Sequence, residues 1–471
     1  MRVPFSAVFA SALLLSSIAS SNIGAQSLAK THWDSTARDI LKELIEINTT
    51  ESSGSTLKAA QAMAARLKAA GFPDSDVVVV QNTPKKGNLV ARLRGKNPAR
   101  KPIMLLSHLD VVEAKAEDWT LAPFTFTEKD STFYGRGVAD DKDDGAMYLT
   151  ILMRLKAEKF VPDRDIIVAM TTDEEGGGDN GVDYLLKHNR NLVDAEYAFN
   201  EGGGGRIRDG KYLSHDIQAA EKVYVDYQLE TTNPGGHSSQ PVKENAITQL
   251  SAALVKIGAF DFPVHLNDVT RIYFERSAAV TPGKMGDAMK ALSKNPDDAA
   301  AIATLSTDKA YNSQMRTSCV ATMLQGGHAP NALPQRARAN VNCRILPNDT
   351  VEVIQKTLER VVADSKVIIT PVAPAKPSPP SPLTRELMAD IERTTKEMWP
   401  TIPVIPTMST GATDGAYLRN AGIPVYGISG FFYGDSNAHG MNERIPQKGF
   451  FEGIEFSYRL IKRVSTQSAV Q

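Results

Sequence analysis

Three acid-bearing segments fall close together in the first half of the chain: His108-Leu109-Asp110, Gly135-Arg136-Gly137-Val138-Ala139-Asp140-Asp141-Lys142, and Thr172-Asp173-Glu174-Glu175-Gly176. Imidazole with several carboxylates and no nearby cysteine is a nitrogen and oxygen donor set suited to zinc or a similar divalent ion. Taken singly, each segment has an ordinary explanation. A strand-end aspartate also caps turns, a histidine can sit half-buried and hydrogen-bonded, and adjacent glutamates are common on solvated surfaces. The combination points further, because carboxylates gathered at the ends of apolar strands repel one another unless a cation neutralises them.

The elements that must position these groups follow from hydrophobic patterning. Residues 102–106 (PIMLL) predict a short buried strand ending at Ser107-His108, and residues 166–170 (IIVAM) predict another ending at the acidic cluster. In open α/β sheets ligands bind beyond the carboxyl ends of the strands, so these side chains should converge on one crevice. The spacing of Ile40, Leu41, Leu44 and Ile45 predicts an amphipathic helix over 36–47, and a second is expected over 57–70, stopped by Gly71. Strands over 77–80 and 89–93, a helix over 145–157 and a strand over 195–199 complete an alternating pattern. That pattern indicates a three-layer α/β domain.

Near residue 218 the composition shifts. Alternation over 223–230, a turn at Asn233-Pro234-Gly235-Gly236-His237-Ser238-Ser239, a helix over 244–257, strands over 318–324 and 336–345 and a helix over 351–363 predict an α+β insert. The six prolines of 371–382 are expected to form a stiff linker back to the first domain. Cys319 and Cys343 fall on neighbouring expected strands, where either a disulfide or two free buried thiols would fit.

As a set, His108-Leu109-Asp110-Val111-Val112, Trp119, Pro123-Phe124, Tyr134-Gly135-Arg136-Gly137, Asp140-Asp141-Lys142 and Thr172-Asp173-Glu174-Glu175 resemble the signature of a co-catalytic di-zinc family. This is the metallopeptidase and deacylase family M20 of glutamate carboxypeptidase, succinyl-diaminopimelate desuccinylase, aminoacylase and carboxypeptidase S. The resemblance implies a discontinuous zinc-exopeptidase catalytic domain over 26–217 and 371–471, with a lid and dimerisation domain over 218–370. It implies two Zn2+ ions per subunit bridged by Asp140, with His108 and Glu201 completing one shell and Glu175 and His439 the other. Glu174 would be the general base. Asp110 would accept a hydrogen bond from His108 and fix its tautomer. The resemblance further implies that His237 reaches the partner subunit's active site, that Asn331, Arg344 and Gly411 hold substrate, and that the Asp140–Asp141 peptide is cis. One departure is visible: Asp143-Asp144 stands where the family often has glycine, adding negative charge without removing a ligand. Residues 268–311 resemble the longer, carboxypeptidase S-like branch.

At 471 residues, with 42% hydrophobic and 23% charged, the composition allows roughly two to three domains and an ample core. A net charge of −1 gives no sign of a nucleic-acid partner or a polybasic membrane patch. Residues 1–25 have the layout of a secretory signal peptide, with Arg2, an apolar stretch and a small-residue cut after Ala25. Secretion or export to a periplasm is therefore expected, with no membrane span in the mature protein. The function expected is release of a C-terminal amino acid from short peptides. N-acyl-amino-acid deacylation is the alternative, and a catalytically inactive binding protein on the same fold a remote one.

Overall fold

The computed structural model describes residues 31–466. The expected signal peptide over 1–25 lies outside them. Among the described residues no helix is long and apolar enough to cross a membrane.

A mixed nine-stranded sheet forms the centre of the larger part. In order across the sheet run Val77–Gln81, Gly87–Leu93, Ile166–Thr171, Ile103–His108, Tyr197–Asn200, Val425–Gly427, Lys211–Glu221 and Val404–Ser409, with Gly204–Arg208 paired beside Lys211–Glu221. The strands Ile103–His108 and Ile166–Thr171 are parallel neighbours, with His108 opposite Thr171. Their carboxyl ends therefore deliver the histidine and the acidic loop side by side.

Period-two alternation sorts these strands between two helical layers. Ile103, Leu105, Ile166, Val168 and Met170 face a core shared with the helices His32–Glu46, Thr56–Ala69, Lys142–Ala157, Arg385–Met398 and Gln447–Thr466. Met104, Leu106, Ile167 and Ala169 face the opposite way, onto Gly181–His188 and Gly415–Asn420. Both faces of the central strands are covered, which is why they read as unbroken apolar runs.

A separate four-stranded antiparallel sheet has the order Ser318–Gly326, Arg336–Ile345, Val223–Thr232, Ile368–Pro371. Val223, Val225, Tyr227 and Leu229, with Ala339, Val341, Cys343 and Ile345, pack on the helices Ala246–Gly258 and Val351–Val362. The other face carries Tyr224 opposite Arg344 and Asp226 opposite Asn342. Cys319 and Cys343 are cross-strand neighbours and form a disulfide.

Two features differ from the sequence expectation. The large sheet continues to Glu221, past the composition shift near 218, because its strand runs through Lys222 into Val223–Thr232 with no turn to mark the change. The helices between 268 and 315 do not join the core of the four-stranded sheet. Phe274, Met289, Leu292, Leu305 and Met315 bury around Ile405 of the outermost strand of the large sheet. Arg276 donates to the Val404 carbonyl and Gln314 to the Met408 carbonyl, both at 2.8 Å. These bonds occupy acceptors that an uncovered sheet edge would leave open.

Candidate active site

His108 is the last residue of a fully buried strand. Its Nδ1 lies 3.0 Å from the Asp110 backbone carbonyl, which can only accept, so Nδ1 carries the proton and Nε2 is left free to bind. Nε2 is 3.1 Å from Asp140 Oδ1. On the other side of the same carboxylate, Asp140 Oδ2 is 3.0 Å from His439 Nε2, which is also 2.8 Å from Glu175 Oε1. Two donor groups result, His108 with Asp140 and Glu201, and Asp140 with Glu175 and His439, and within each the donor atoms lie within 4.8 Å of one another. One oxygen of Asp140 serves each group, which is the arrangement of a carboxylate bridging two cations.

The electrostatics agree with that fit. Burial pushes Glu201 well above the usual carboxylate range, with the charge of Glu174 adding to it, and burial with the charge of Asp140 raises Glu175. Against its own burial, Asp140 is held below the ordinary range by His108 and His439. The bond to Asp140 raises His439 to about 9. Burial would lower His108, yet Asp140, Asp110 and Glu201 raise it well above the ordinary histidine value. Negative charge is thus crowded among these five side chains, raising both histidines and adding to the burial that raises Glu201 and Glu175, and two imidazoles with three carboxylates suit two divalent ions.

Glu174 stands beside the donors without belonging to either group. Its burial, with the charges of Asp414 and Glu175 against the pull of His108, pushes it up to about 8. The loop carrying Glu174 and Glu175 starts at Asp173, in the left-handed region at φ 60°. It is held by Lys86, whose Nζ donates to Asp173, and by the side chain of Asp110.

Asp110 corrects the sequence expectation. Its backbone carbonyl, not its carboxylate, takes the ring hydrogen bond; the carboxylate Oδ1 is 3.8 Å from Nδ1. The carboxylate oxygens instead accept from the amides of Glu174 and Glu175, at 3.2 and 2.9 Å. One residue thus orients the histidine through its main chain and the base and ligand loop through its side chain. The Asp140–Asp141 peptide is cis, and Asp141 Oδ2 accepts from the His108 amide at 3.1 Å. Asp143 and Asp144 are buried rather than facing solvent, and Asp143 accepts from the Tyr433 hydroxyl at 2.8 Å. Burial and the neighbouring Asp144 charge push Asp143 well up, and burial raises Asp144 to about 7.

Glu174, Glu175, Arg344 and Gly411 line one cleft of about 1070 Å³. The Arg344 guanidinium rests over the Tyr224 ring at 4.6 Å and reaches the Thr410 carbonyl at 3.4 Å. His237 and Asn331 come together where Gly236–His237 pairs antiparallel with Ala332–Leu333, and Ser238 N donates to Asn331 O at 3.0 Å. Both are exposed, and neither is among the residues lining the cleft. Three site residues escape a reading of the sequence: the buried Asp414, which accepts from Asn180; the partly buried Lys86; and the buried Glu443. Each has its partner far away in the chain, so no local spacing marks it.

With the fold and the geometry in place, comparison with known proteins defines the class. The chain matches Peptidase family M20/M25/M40 over residues 104–463 and belongs to that family of metallopeptidases. It is a hydrolase with a candidate dinuclear metal site. Among its relatives, the human N-fatty-acyl-amino acid synthase/hydrolase PM20D1 is 27% identical over 387 residues, covering 79% of this chain and 76% of that protein. The probable carboxypeptidase S-like 2 of Dictyostelium discoideum is 28% identical over 407 residues, covering 83% and 77%. The fold is shared with the M20 family metallo-carboxypeptidase Sso-CP2 from Sulfolobus solfataricus, at a TM-score of 0.66 and 18% identity over 90% of this chain and 98% of that one. It is also shared with human carnosine dipeptidase 1, at a TM-score of 0.63 and 17% identity over 92% and 96%.

Proposed function

We propose that the protein is a di-zinc carboxypeptidase that hydrolyses the last amide bond of short peptides. The observation that carries this reading is the shared Asp140, one oxygen turned to each donor group, with Glu174 beside it and Arg344 on the wall of the same cleft. When bound, two zinc ions would supply Lewis acidity and a water acidified enough to attack near neutral pH.

The chain's own residues do the rest. Glu174, partly screened from water, takes a proton from the attacking water and passes it to the leaving amine nitrogen. A single carboxylate serves both steps, because the proton gained in the first is released in the second. Burial raises Glu174 to about 8, and cations bound beside it would favour the carboxylate form that a base needs. Arg344 holds the free carboxylate of the substrate, a task that its planar fork suits through two parallel hydrogen bonds. Asp110 keeps His108 and the Glu174 loop in register.

The dimer belongs to this reading. Ser318–Gly326 is an edge strand of the four-stranded sheet, with Val320, Met323 and Leu324 exposed, and Ile247 and Val255 of the helix Ala246–Gly258 are exposed too. An open, apolar edge of this kind supports pairing with a second copy. His237 would then complete the partner's site. The layout of residues 1–25 and the Cys319–Cys343 disulfide support an exported protein in an oxidising compartment.

N-acyl-amino acid hydrolysis is the second reading, favoured by the size of the cleft and by Leu186, Pro374, Ala416 and Tyr417 along its wall. Both substrate classes offer an amide next to a free carboxylate, so the metal site does not choose between them. Purified protein loaded with zinc should cleave members of a dipeptide panel faster than N-acyl amino acids matched in the C-terminal residue. The reverse order of kcat/KM would replace the first reading with the second. Elemental analysis should find close to two divalent ions per chain, and a fully active metal-free preparation would end both readings.

A further inference from the structure

The donor groups are assembled from chain segments about 300 residues apart, and the ion pair between Arg136 and Glu443 joins them. Arg444–Pro446 pairs antiparallel with Thr132–Tyr134, placing Arg444 opposite Tyr134, and Gly135 N donates to Glu443 O at 3.2 Å. Glu443 is thereby brought under the loop that leads to Asp140. Its side chain is fully buried and accepts three bonds: Arg136 Nη1 at 2.8 Å and Gly137 N at 2.9 Å on Oε2, and Ala139 N at 2.8 Å on Oε1. Two of these donors are main-chain amides just before the shared Asp140.

Arg136 faces the other way as well. Its guanidinium packs against the Trp119 ring at 4.9 Å, and Nη2 donates to the carbonyls of His439 and Gly440 at 3.3 and 3.1 Å. His439 itself sits at φ 61°, a left-handed conformation that a non-glycine residue keeps only where its surroundings hold it. His439 is also half-exposed, so little packing fixes its ring.

We propose that Arg136 and Glu443 are positioning residues for metal binding, and that they act unequally. Glu443 sets the loop of Asp140, which both donor groups share, while Arg136 sets the backbone of His439, which belongs to one group only. The inference rests on the two-ion reading of the site. Only a carboxylate accepts at both oxygens from three N–H groups, so Glu443→Gln turns an amide N–H toward a donor. A lysine ammonium keeps the charge at 136 but lacks the planar spread that spans a carboxylate on one side and two carbonyls on the other.

The test is zinc affinity, measured on chelator-stripped protein by competition with a chromophoric chelator, with thermal unfolding of each variant alongside. Residues that orient metal ligands typically alter affinity by about ten- to a hundredfold. Glu443→Gln should weaken both ions by that factor. Arg136→Lys should weaken one ion by that factor and leave the other within about threefold, a split that a general loss of stability would not produce. Wild-type affinity for both ions in folded Arg136→Lys protein overturns the proposal, and so does an equal loss at both. If Glu443→Gln does not fold, the Arg136→Lys split decides by itself. A wild-type protein that fails to take up two zinc ions sinks the metal reading instead, and is seen before any variant is made.

Discussion

Lowering the pH should destabilise the fold through His215, a residue remote in role from the candidate active site. His215 lies in the strand Lys211–Glu221 with no exposed surface. Its Nε2 is 2.6 Å from the Ser429 carbonyl and its Nδ1 2.8 Å from Thr395 Oγ1, and the rings of Phe456 and Trp399 pack against it at 4.6 and 5.8 Å. The carbonyl can only accept, so Nε2 holds the proton and Nδ1 accepts from the threonine hydroxyl. The neutral ring is fully satisfied, whereas a charged one is not solvated. Burial accordingly lowers its pKa from 6.5 to about 4. A depressed value means that the unfolded chain binds the proton first as pH falls. Stability from this group is complete above about pH 7.5 and declines as pH drops through 6.5 toward 4. At ~1.36 kcal/mol per unit the full loss is about 3 kcal/mol, with about 2 kcal/mol gone by pH 5.

The assay is urea unfolding of wild type and His215→Gln at about pH 7.5, 6 and 5, both in excess chelator so that metal-linked protons cancel in the difference. A glutamine amide can still donate toward the Ser429 carbonyl but does not titrate. The wild type should lose about 2 kcal/mol more than the variant between the two extremes. Parallel curves would refute the assignment of a buried neutral imidazole.

Within the adjacent glutamates, Glu174→Gln should keep both metals and the fold while turnover falls by at least about a hundred- to ten-thousandfold, and Glu175→Gln should lose metal on elemental analysis; the opposite pattern would exchange their roles. Mixing inactive Glu174→Gln and His237→Ala chains should restore part of the activity, since one site of a mixed dimer then has an intact base and an intact partner histidine, and no rescue despite proven subunit exchange would remove His237 from the chemistry. Replacing Cys319 and Cys343 with alanine should lower stability by about 3 kcal/mol for a cross-link spanning 24 residues, with unchanged kcat, because the bridge ties two strands outside the metal site.

What the sequence determined by itself is what short-range pattern encodes. Apolar runs at 102–106 and 166–170 become the two central strands, shifted by a residue or so at their ends, and the amphipathic spacing around Ile40 to Ile45 becomes a helix. The five donor residues came from the resemblance of their motifs to a known family rather than from spacing alone, and the fold brings those five side chains together. What tertiary structure decided are partnerships with no local trace. The Asp110 carboxylate serves the amides of Glu174 and Glu175 rather than the imidazole two residues before it, a choice made by parallel pairing that sets residue 108 beside 171. The helices of 268–315 pack on Ile405 because an outer strand of the large sheet leaves apolar surface and carbonyls to cover, and nothing in their own spacing names that strand. Arg136 and Glu443 are single charges on segments 307 residues apart. Their pairing follows from closure of the whole domain, which brings distant loops together where neither sequence window contains the other.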